Sequence, residues 1–387
     1  MLNNFNAEDF LANYWQKKPF LIRQGLPGFK SPLTPDEMAG LACEPDIESR
    51  IIIEADNQWS AENGPFEEGR FNQLPEKDWT LLVQALDHYI PEVADLLDDF
   101  RFIPNWRIDD VMASYAVPGG NVGPHYDNYD VFLIQGAGKR EWKLGQLCGD
   151  QENLQDNPAM RLLQNFDETD SWILEPGDIL YLPPLYAHWG TGLDSECITY
   201  SVGFRAPGFG ELLANFCDER LSQLNDNLRY SDADLSLQQN PGEIQPEVID
   251  KVQELLVDQF SNKQIIAEWF GRYMTEPKYE QEEQTQDHYT LDDLHEALKD
   301  PANIDRNIIR NPSKRFAYLT TDENTAILFI DGQSYPCSPN LAKLLSNCRF
   351  FLSKDLKALI QDAQSKDSRD ADILIDCFNQ DNLYFDD

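Results

Sequence analysis

Residues 123–135 of this chain read GPHYDNYDVFLIQ. His125 and Asp127 lie two positions apart, and side chains at positions i and i+2 of an extended strand point to the same face. Residues 129–135 are rich in aromatic and β-branched side chains and predict a strand. The turn-rich sequence PGGNVGP, residues 118–124, precedes the pair. We therefore expect His125 and Asp127 to aim at one point where a strand begins.

A second histidine, His188, comes after another strand-like segment, GDILYL at residues 177–182, which ends at two prolines. Two imidazoles and one carboxylate form the facial triad that holds non-haem Fe(II) and leaves coordination positions open, as in oxygenases. The alternative stays open at this point, because an HxD triplet also arises by chance and a lone histidine is more often an ordinary polar residue than a ligand. Convergence of the three side chains decides between the two interpretations.

A basic residue completes the candidate site. Residues 139–145, KREWKLG, predict a strand that follows a glycine-rich turn. Alternation places Arg140 and Trp142 on one face and the neighbouring charged side chains on the other. The planar guanidinium of an arginine matches a carboxylate with two hydrogen bonds, so Arg140 is a candidate partner for an acidic cosubstrate. The alternative is that the basic cluster forms a solvated strand face.

These motifs resemble those of the JmjC-type 2-oxoglutarate oxygenases, and above all their bacterial ribosomal-oxygenase branch. The resemblance covers essentially the whole chain and rests on these stretches: YWQKKPFLIR at 14–23, HYDNYDVF at 125–132, GDILYLPP at 177–184 and YSVGFRAP at 200–207. It implies that His125, Asp127 and His188 bind Fe(II), and that the activity is hydroxylation at Cβ of an arginine in a large-subunit ribosomal protein. In that reaction 2-oxoglutarate and O2 are consumed, and succinate and carbon dioxide are released.

The resemblance also implies residues that bind 2-oxoglutarate. Arg140 would pair with the far carboxylate, a position where many relatives have lysine. A small hydroxyl residue assists the cosubstrate in relatives, and the candidates here are Ser201 and Ser114, which lies on the predicted strand 111–117. A serine that points inward from a strand can also simply satisfy a backbone group.

The chain is strongly acidic, with 31 basic and 68 acidic residues and a formal net charge of -37. Such a surface repels phosphate backbones, so we expect no direct binding to nucleic acid. A free, basic ribosomal protein is an electrostatically suitable partner. The charge can equally reflect a salt-adapted organism, in which case it says nothing about partners.

Two features of the sequence bear on the cellular compartment of the protein: its cysteines and residues 1–10. The seven cysteines are scattered without a CxxC motif, which favours reduced thiols over a disulfide framework. Residues 1–10 lack the basic and apolar regions of a signal peptide, and no apolar run is long enough to span a membrane. We expect a cytoplasmic protein with no membrane contact.

The expected fold class is α+β with a mainly β core, in three domains. Residues 1–207 are predicted to form a double-stranded β-helix of the jelly-roll, cupin or JmjC type. Residues 208–276 carry amphipathic helical patterns and form the expected homodimerisation domain, as the resemblance also implies. Residues 277–387 combine helical segments with a small hairpin, which suggests a winged-helix-like domain.

Two further hypotheses from other classes stay open. The chain could be another 2-oxoglutarate or metal cupin enzyme that acts on a different protein or on a small molecule. It could also be a non-catalytic protein on a barrel scaffold, in which the winged-helix-like domain binds the partner. The three candidate ligands together with Arg140 argue against the second, and turnover of 2-oxoglutarate would separate it from the enzymes.

Overall fold

The computed structural model describes residues 2–149, 152–157, 159–225, 227–279, 289–299, 307–356 and 369–386. The chain divides into two compact units. The first comprises Met1–Ala206 with Asn311–Ser313, and the second comprises Pro207–Arg310 with Lys314–Asp387. Among the described residues, none of the helices combines the length and the apolar character that a membrane crossing requires.

The first unit consists of short helices and eleven strands within its described residues. Its helices are α1 (Ala7–Asn13), α2 (Pro35–Leu41), α3 (Glu68–Phe71) and α4 (Pro91–Ala94). Its strands are β1 (Phe20–Ile22), β2 (Ser49–Ala55), β3 (Gln58–Asn63), β4 (Trp79–Val83), β5 (Ile108–Ala116), β6 (Asp130–Ala137), β7 (Arg140–Leu147), β8 (Asp170–Leu174), β9 (Ile179–Leu182), β10 (Tyr186–Gly192) and β11 (Cys197–Phe204).

These strands form two antiparallel sheets. The larger sheet has eight strands in the order β1-β9-β6-β11-β5-β4-β2-β3, and the smaller has three in the order β10-β7-β8. From β6 onward the chain passes back and forth between the two layers of a double-stranded β-helix: β6, β9 and β11 belong to the larger sheet, and β7, β8 and β10 belong to the smaller. The expected mainly β core of this type is confirmed.

The central strands of the larger sheet are buried on both faces, which explains why β6 reads as a continuous apolar run. On one face, Phe132 and Ile134 belong to a core that is rich in aromatic side chains. This core also contains Phe10 of helix α1 and Tyr181 of β9. Val131 and Leu133 point to the opposite face, toward the inside of the double-stranded β-helix. Because alternation has a period of two, a register slip of one residue would exchange these faces.

The second unit contains helices and two small sheets. Its helices are α5 (Phe209–Gln223), α6 (Pro246–Ser261), α7 (Lys263–Thr275), α8 (Leu291–Lys299), α9 (Pro339–Asn347) and α10 (Arg369–Asn379). Its strands are β12 (Asn307–Arg310), β13 (Phe316–Thr320), β14 (Ala326–Ile330), β15 (Gln333–Cys337), β16 (Phe350–Leu352) and β17 (Leu383–Phe385). The sheet orders are β16-β12-β17 and β13-β14-β15.

The hairpin between β14 and β15 shows how local sequence sets this part of the chain. Asp331 and Gly332 both have positive φ, 44° and 79°, as a two-residue turn of type I′ requires. Ile330 therefore pairs with Gln333 across the turn. Residues 280–288, in the predicted third domain, lie outside the described residues, and the predicted boundary near residue 276 stays a prediction.

Candidate metal centre and cosubstrate pocket

The three predicted ligand residues come together in the first unit. One potential ligand atom from each of His125, Asp127 and His188 lies within 4.8 Å of the others. His188 Nε2 is 3.6 Å from Asp127 Oδ2, and the two imidazole centroids are 4.2 Å apart. Two nitrogens and one oxygen thus face one point, which is the donor set of a facial triad.

Backbone pairing brings the two histidines together. His125 and His188 form an isolated antiparallel bridge, in which each backbone N–H donates to the other residue's carbonyl oxygen, at 3.1 and 2.8 Å. His188 lies inside β10, in the smaller sheet, and not in a segment that merely follows β9. The strand β10 was missed in the sequence because its residues, YAHWGTG, show no apolar alternation.

The orientation of both imidazoles is set by main-chain carbonyl groups. His125 Nδ1 lies 2.9 Å from Gly123 O, and His188 Nδ1 lies 2.9 Å from Tyr186 O. A carbonyl oxygen can only accept, so each Nδ1 carries a proton and each Nε2 presents its lone pair to the centre. Burial, together with the adjacent imidazole of His125, lowers the pKa of His188 to about 4, so this imidazole is neutral at pH 7.

A cavity of about 630 Å³ lies inside the double-stranded β-helix and contains the three ligands. Its walls come from alternate positions of the strands, since side chains two residues apart point to the same side. These lining residues are Met112 and Ser114 of β5, Val131 and Leu133 of β6, Arg140 and Trp142 of β7, His188 and Gly190 of β10, and Ser201 and Gly203 of β11.

Arg140 is a buried cation in this cavity, with only 4% of its surface exposed. Its Nη1 donates to Ser114 Oγ at 2.9 Å, and its guanidinium lies 5.5 Å from the Trp142 ring centroid. Among the described residues no carboxylate is within ion-pair distance of Arg140, and Arg140 Nε has no hydrogen-bond partner. A buried guanidinium without a counter-charge is costly, so this position suits an acidic ligand.

The two candidate serines lie on the neighbouring strands β5 and β11. Ser114 accepts the hydrogen bond from Arg140, and its Oγ lies 3.4 Å from Thr199 O. Ser201 is 9% exposed and lines the cavity, in register with Met112 and Leu133 on the adjacent strands. Ser114 thus holds the arginine, whereas Ser201 presents its side chain to the cavity.

The cavity also has acidic residues that sequence reasoning did not identify. Asp109 and Asp110 line it, and Asp110 Oδ2 accepts a hydrogen bond from Ala85 N–H at 3.0 Å. Tyr129 also lines the cavity, with 44% of its surface exposed. Continuing the alternation of β5 back from Ser114 would have identified Asp110.

The residues that flank the candidate ligands along the chain have different roles. Tyr126, Asn128 and Tyr129 line the cavity. The Trp189 indole instead donates to the side chain of Asn121 at 3.0 Å. Sequence reasoning did not identify Asn121, which has no recognisable motif.

Comparisons with known proteins agree with the fold. A model of the JmjC domain matches residues 95–212, and a model of the ROXA-like winged helix matches residues 254–384. The ribosomal protein uL16 3-hydroxylase of Escherichia coli K12 is 39% identical over 295 residues, which cover 76% of this chain and 78% of that protein.

Solved structures of E. coli YcfD, a ribosomal oxygenase, are similar over the full length of this chain. One superposes with a TM-score of 0.89 at 33% identity, and it covers 100% of this chain and 99% of the other. The structure of YcfD in complex with cobalt and 2-oxoglutarate superposes with a TM-score of 0.86 at 32% identity, with the same coverage. With its fold, its paired domain matches and its extensive identity to these relatives, the chain belongs to the JmjC-type ribosomal oxygenases.

Proposed function

We propose that this chain is an Fe(II)- and 2-oxoglutarate-dependent oxygenase that hydroxylates Cβ of an arginine side chain in a basic large-subunit ribosomal protein. One observation carries the proposal. Two imidazole nitrogens and a carboxylate converge in the same cavity as Arg140, a buried cation without a counter-charge among the described residues. Similarity to a ribosomal protein hydroxylase of E. coli supports the choice of substrate class.

His125, Asp127 and His188 would hold the metal. The donor set fits Fe(II), because two imidazoles with one carboxylate leave positions for a chelating cosubstrate and for oxygen. Bound Fe(II), with 2-oxoglutarate and O2, supplies the oxidation that inserts one oxygen atom into a C–H bond. The protein's part is to hold the Nδ1 side of each ring and to aim both Nε2 atoms at one point, which the carbonyl groups of Gly123 and Tyr186 achieve.

Arg140 would bind the far carboxylate of 2-oxoglutarate. Ser114 fixes Nη1 of Arg140, while Arg140 Nε and Trp142 Nε1 are buried donors without partners among the described residues. Buried donors in this state cost free energy until an acceptor reaches them, and a carboxylate is the strongest acceptor available. Ser201, on the wall formed by β11, would offer a further hydroxyl group to the cosubstrate.

The cavity wall on the side of β5 would receive the substrate side chain. Asp109 and Asp110 bring negative charge to the cavity, which complements the guanidinium of an arginine. The whole-chain charge of -37 favours a basic protein as the partner and disfavours nucleic acid. The substrate would therefore be met as a free ribosomal protein and not through ribosomal RNA.

We also propose a homodimer formed by the helical region 208–276, between the catalytic domain 1–207 and the winged-helix-like domain 277–387. Helix α6 has no buried residue, although it is strongly amphipathic. Its exposed apolar side chains are Ile249, Val252, Leu255, Leu256, Val257 and Phe260. Exposed apolar area of this extent on one helix supports a protein interface.

We propose the cytoplasm as the compartment, because ribosomal proteins are made there. The seven free cysteines support this proposal.

The test is intact-mass spectrometry of basic ribosomal proteins after incubation with this protein, Fe(II), 2-oxoglutarate and O2. We expect one large-subunit protein to gain the mass of one oxygen atom, and fragmentation to place it on an arginine Cβ. The His188→Ala variant should give no gain. Succinate formation without any modified ribosomal protein would keep the oxygenase and overturn the substrate, whereas absence of succinate would overturn the enzyme class.

A further inference from the structure

The side-chain amide of Asn121 connects the two segments that carry His125 and His188. Asn121 belongs to the loop before His125, is 2% exposed and uses its whole side chain in hydrogen bonds. Its Oδ1 accepts from Trp59 Nε1 at 2.8 Å, from Trp189 Nε1 at 3.0 Å and from the backbone N–H of Gly123 at 2.9 Å. Its Nδ2 donates to Glu54 at 2.5 Å and to Gly119 O at 3.0 Å.

One set of these contacts leads to the first histidine. Asn121 Oδ1 holds the N–H of Gly123, and the carbonyl oxygen of Gly123 accepts from His125 Nδ1 at 2.9 Å. The peptide groups around Gly123 therefore have their direction fixed from one side by Asn121. A change in that direction would rotate the His125 ring, because the carbonyl group is the partner of its Nδ1.

The other contact leads to the second histidine. Trp189 directly follows His188 in β10, and its indole N–H ends on the same oxygen atom of Asn121. The Trp59 indole reaches that oxygen from β3, and the Trp59 and Trp189 rings meet edge to face with centroids 6.2 Å apart. Asn121 thus joins the two segments of the chain that carry the imidazoles.

The orientation of the Asn121 amide is fixed by its surroundings. Three N–H donors meet its oxygen, while a carboxylate and a carbonyl oxygen meet its nitrogen. The reversed amide would place donors against donors and acceptors against acceptors. A carboxylate in place of the amide could still accept from the three N–H donors, but it would place a second negative charge against Glu54. Both the oxygen and the NH2 group of the amide are therefore required.

We propose that Asn121 is a positioning residue that fixes both histidine-bearing segments and thereby sets the affinity of the centre for its divalent metal. The inference rests on the proposed role of His125, Asp127 and His188 as metal ligands. It concerns a residue that touches neither the metal nor the cosubstrate, and it acts through the peptide at Gly123 and through the indole of Trp189.

The test is titration of the full chain with Co(II), followed by calorimetry and by the visible absorption of the bound ion. We expect Asn121→Ala to weaken Co(II) binding by at least about tenfold, within the range for residues that orient ligands, and to change the absorption spectrum. Asn382→Ala is the matched control, because Asn382 is equally buried but belongs to the second unit. It should bind Co(II) as the unaltered chain does, and a folded Asn121→Ala with unaltered Co(II) affinity would overturn the inference.

Two further variants keep the test valid if Asn121→Ala does not fold. Asn121→Asp should weaken Co(II) binding, and the added substitution Glu54→Gln should restore part of it, because a donor then faces the new carboxylate while the carbonyl oxygen of Gly119 still opposes it. Trp189→Phe should weaken binding, whereas Trp79→Phe should not, although it also removes an indole hydrogen bond, to Pro75 O at 2.7 Å. Absence of rescue, or equal effects of the two tryptophan variants, would overturn the inference. If the unaltered chain itself bound no Co(II), the proposed metal site would fail instead.

Discussion

At the scale of the residue, Arg140 is the position where loss of one side chain should affect cosubstrate binding most. Its guanidinium is buried and hydrogen-bonded to Ser114. Removing a charged hydrogen-bond partner costs about 1.5–3 kcal/mol, so Arg140→Ala should raise the KM for 2-oxoglutarate roughly 10- to 100-fold. Arg140→Lys should raise the KM for 2-oxoglutarate less, because lysine keeps the positive charge but cannot form a bidentate pair with a carboxylate. Succinate release at varied 2-oxoglutarate measures both.

Lys139→Ala is the control for this prediction. Lys139 is the adjacent cation, half exposed and paired with Glu175 at 2.6 Å on the surface. Its loss should leave the KM for 2-oxoglutarate unaltered. Equal KM values for Arg140→Ala and the unaltered chain would mean that the far carboxylate binds elsewhere in the cavity.

Local sequence was enough to predict the residues that the structure brings together at the site. The i, i+2 spacing places His125 beside Asp127, and alternation along β7 places Arg140 on the buried face. Asn121 could not be predicted, because its partners Trp59 and Trp189 are about 60 positions away on either side and only the fold brings them together. An asparagine in a glycine-rich loop is otherwise typical of an ordinary turn.

At the scale of the element, Asp178 joins the edge strand β1 to β9. Its side chain, almost fully buried, accepts from the backbone N–H groups of Gln24 at 2.9 Å and Glu175 at 3.1 Å. Arg23 Nη1 donates to the same carboxylate at 2.6 Å. Burial opposes ionisation of Asp178, but these donors outweigh it, so the pKa of the carboxyl group lies below its ordinary value.

This shift predicts how the first unit responds to acid. The pKa of Asp178 is lower in the folded than in the unfolded state. Its carboxylate therefore stabilises the fold fully at pH values above its unfolded-state pKa. This stabilisation is lost as the pH falls through its folded-state pKa. We expect Asp178→Asn to lower the free energy of unfolding by about 1–3 kcal/mol at pH 7. The difference between variant and unaltered chain should shrink below pH 4, the ordinary range of an aspartate.

Urea unfolding followed by tryptophan fluorescence measures this difference. All tryptophans except Trp269 precede residue 207, so the signal reports mainly on the first unit. Asp170→Asn, at an exposed position in β8, is the control and should change the free energy of unfolding by less than about 0.5 kcal/mol. A difference between Asp178→Asn and the unaltered chain that did not depend on pH would contradict the assigned ionisation.

The elements differ in how well the sequence predicted them. Helix α9 and strand β14 each have a clear local signal in the sequence: a Ser-Pro start for the helix, and an apolar run with Asp-Gly after it for the strand. Strand β15, with Pro336, was not predicted. It pairs only with β14, so it lies at the edge of its sheet, where a proline is tolerated.

At the scale of the whole molecule, the apolar face of α6 predicts the oligomeric state. Ile249 and Leu256 are more than half exposed and lie seven positions apart, on the same face of the helix. We expect the chain to be a dimer by light scattering, and the double variant Ile249→Asp/Leu256→Asp to be a monomer. Glu254→Lys, an exposed polar position of α6, should leave the dimer intact. A double variant that stayed dimeric would place the interface outside α6.

The net charge of -37 predicts the salt dependence of the reaction. Attraction between an acidic enzyme and a basic ribosomal protein accelerates encounter, and added salt screens it. We expect kcat/KM for the protein substrate to fall steeply between low and physiological ionic strength, while the KM for 2-oxoglutarate changes little. If kcat/KM did not depend on salt, the net charge of the chain would not contribute to the choice of substrate.

The hydrogen bonds of the two imidazoles to main-chain carbonyl groups bear on how this site can evolve. Every amino acid has a carbonyl group, so the partners of the two Nδ1 atoms survive substitution at Tyr186. The partner of His188 Nδ1 therefore depends on the path of the main chain and not on which side chain stands at position 186. Gly123 is the exception: its φ of 76° strongly favours glycine, so one substitution there would displace the carbonyl group that orients His125.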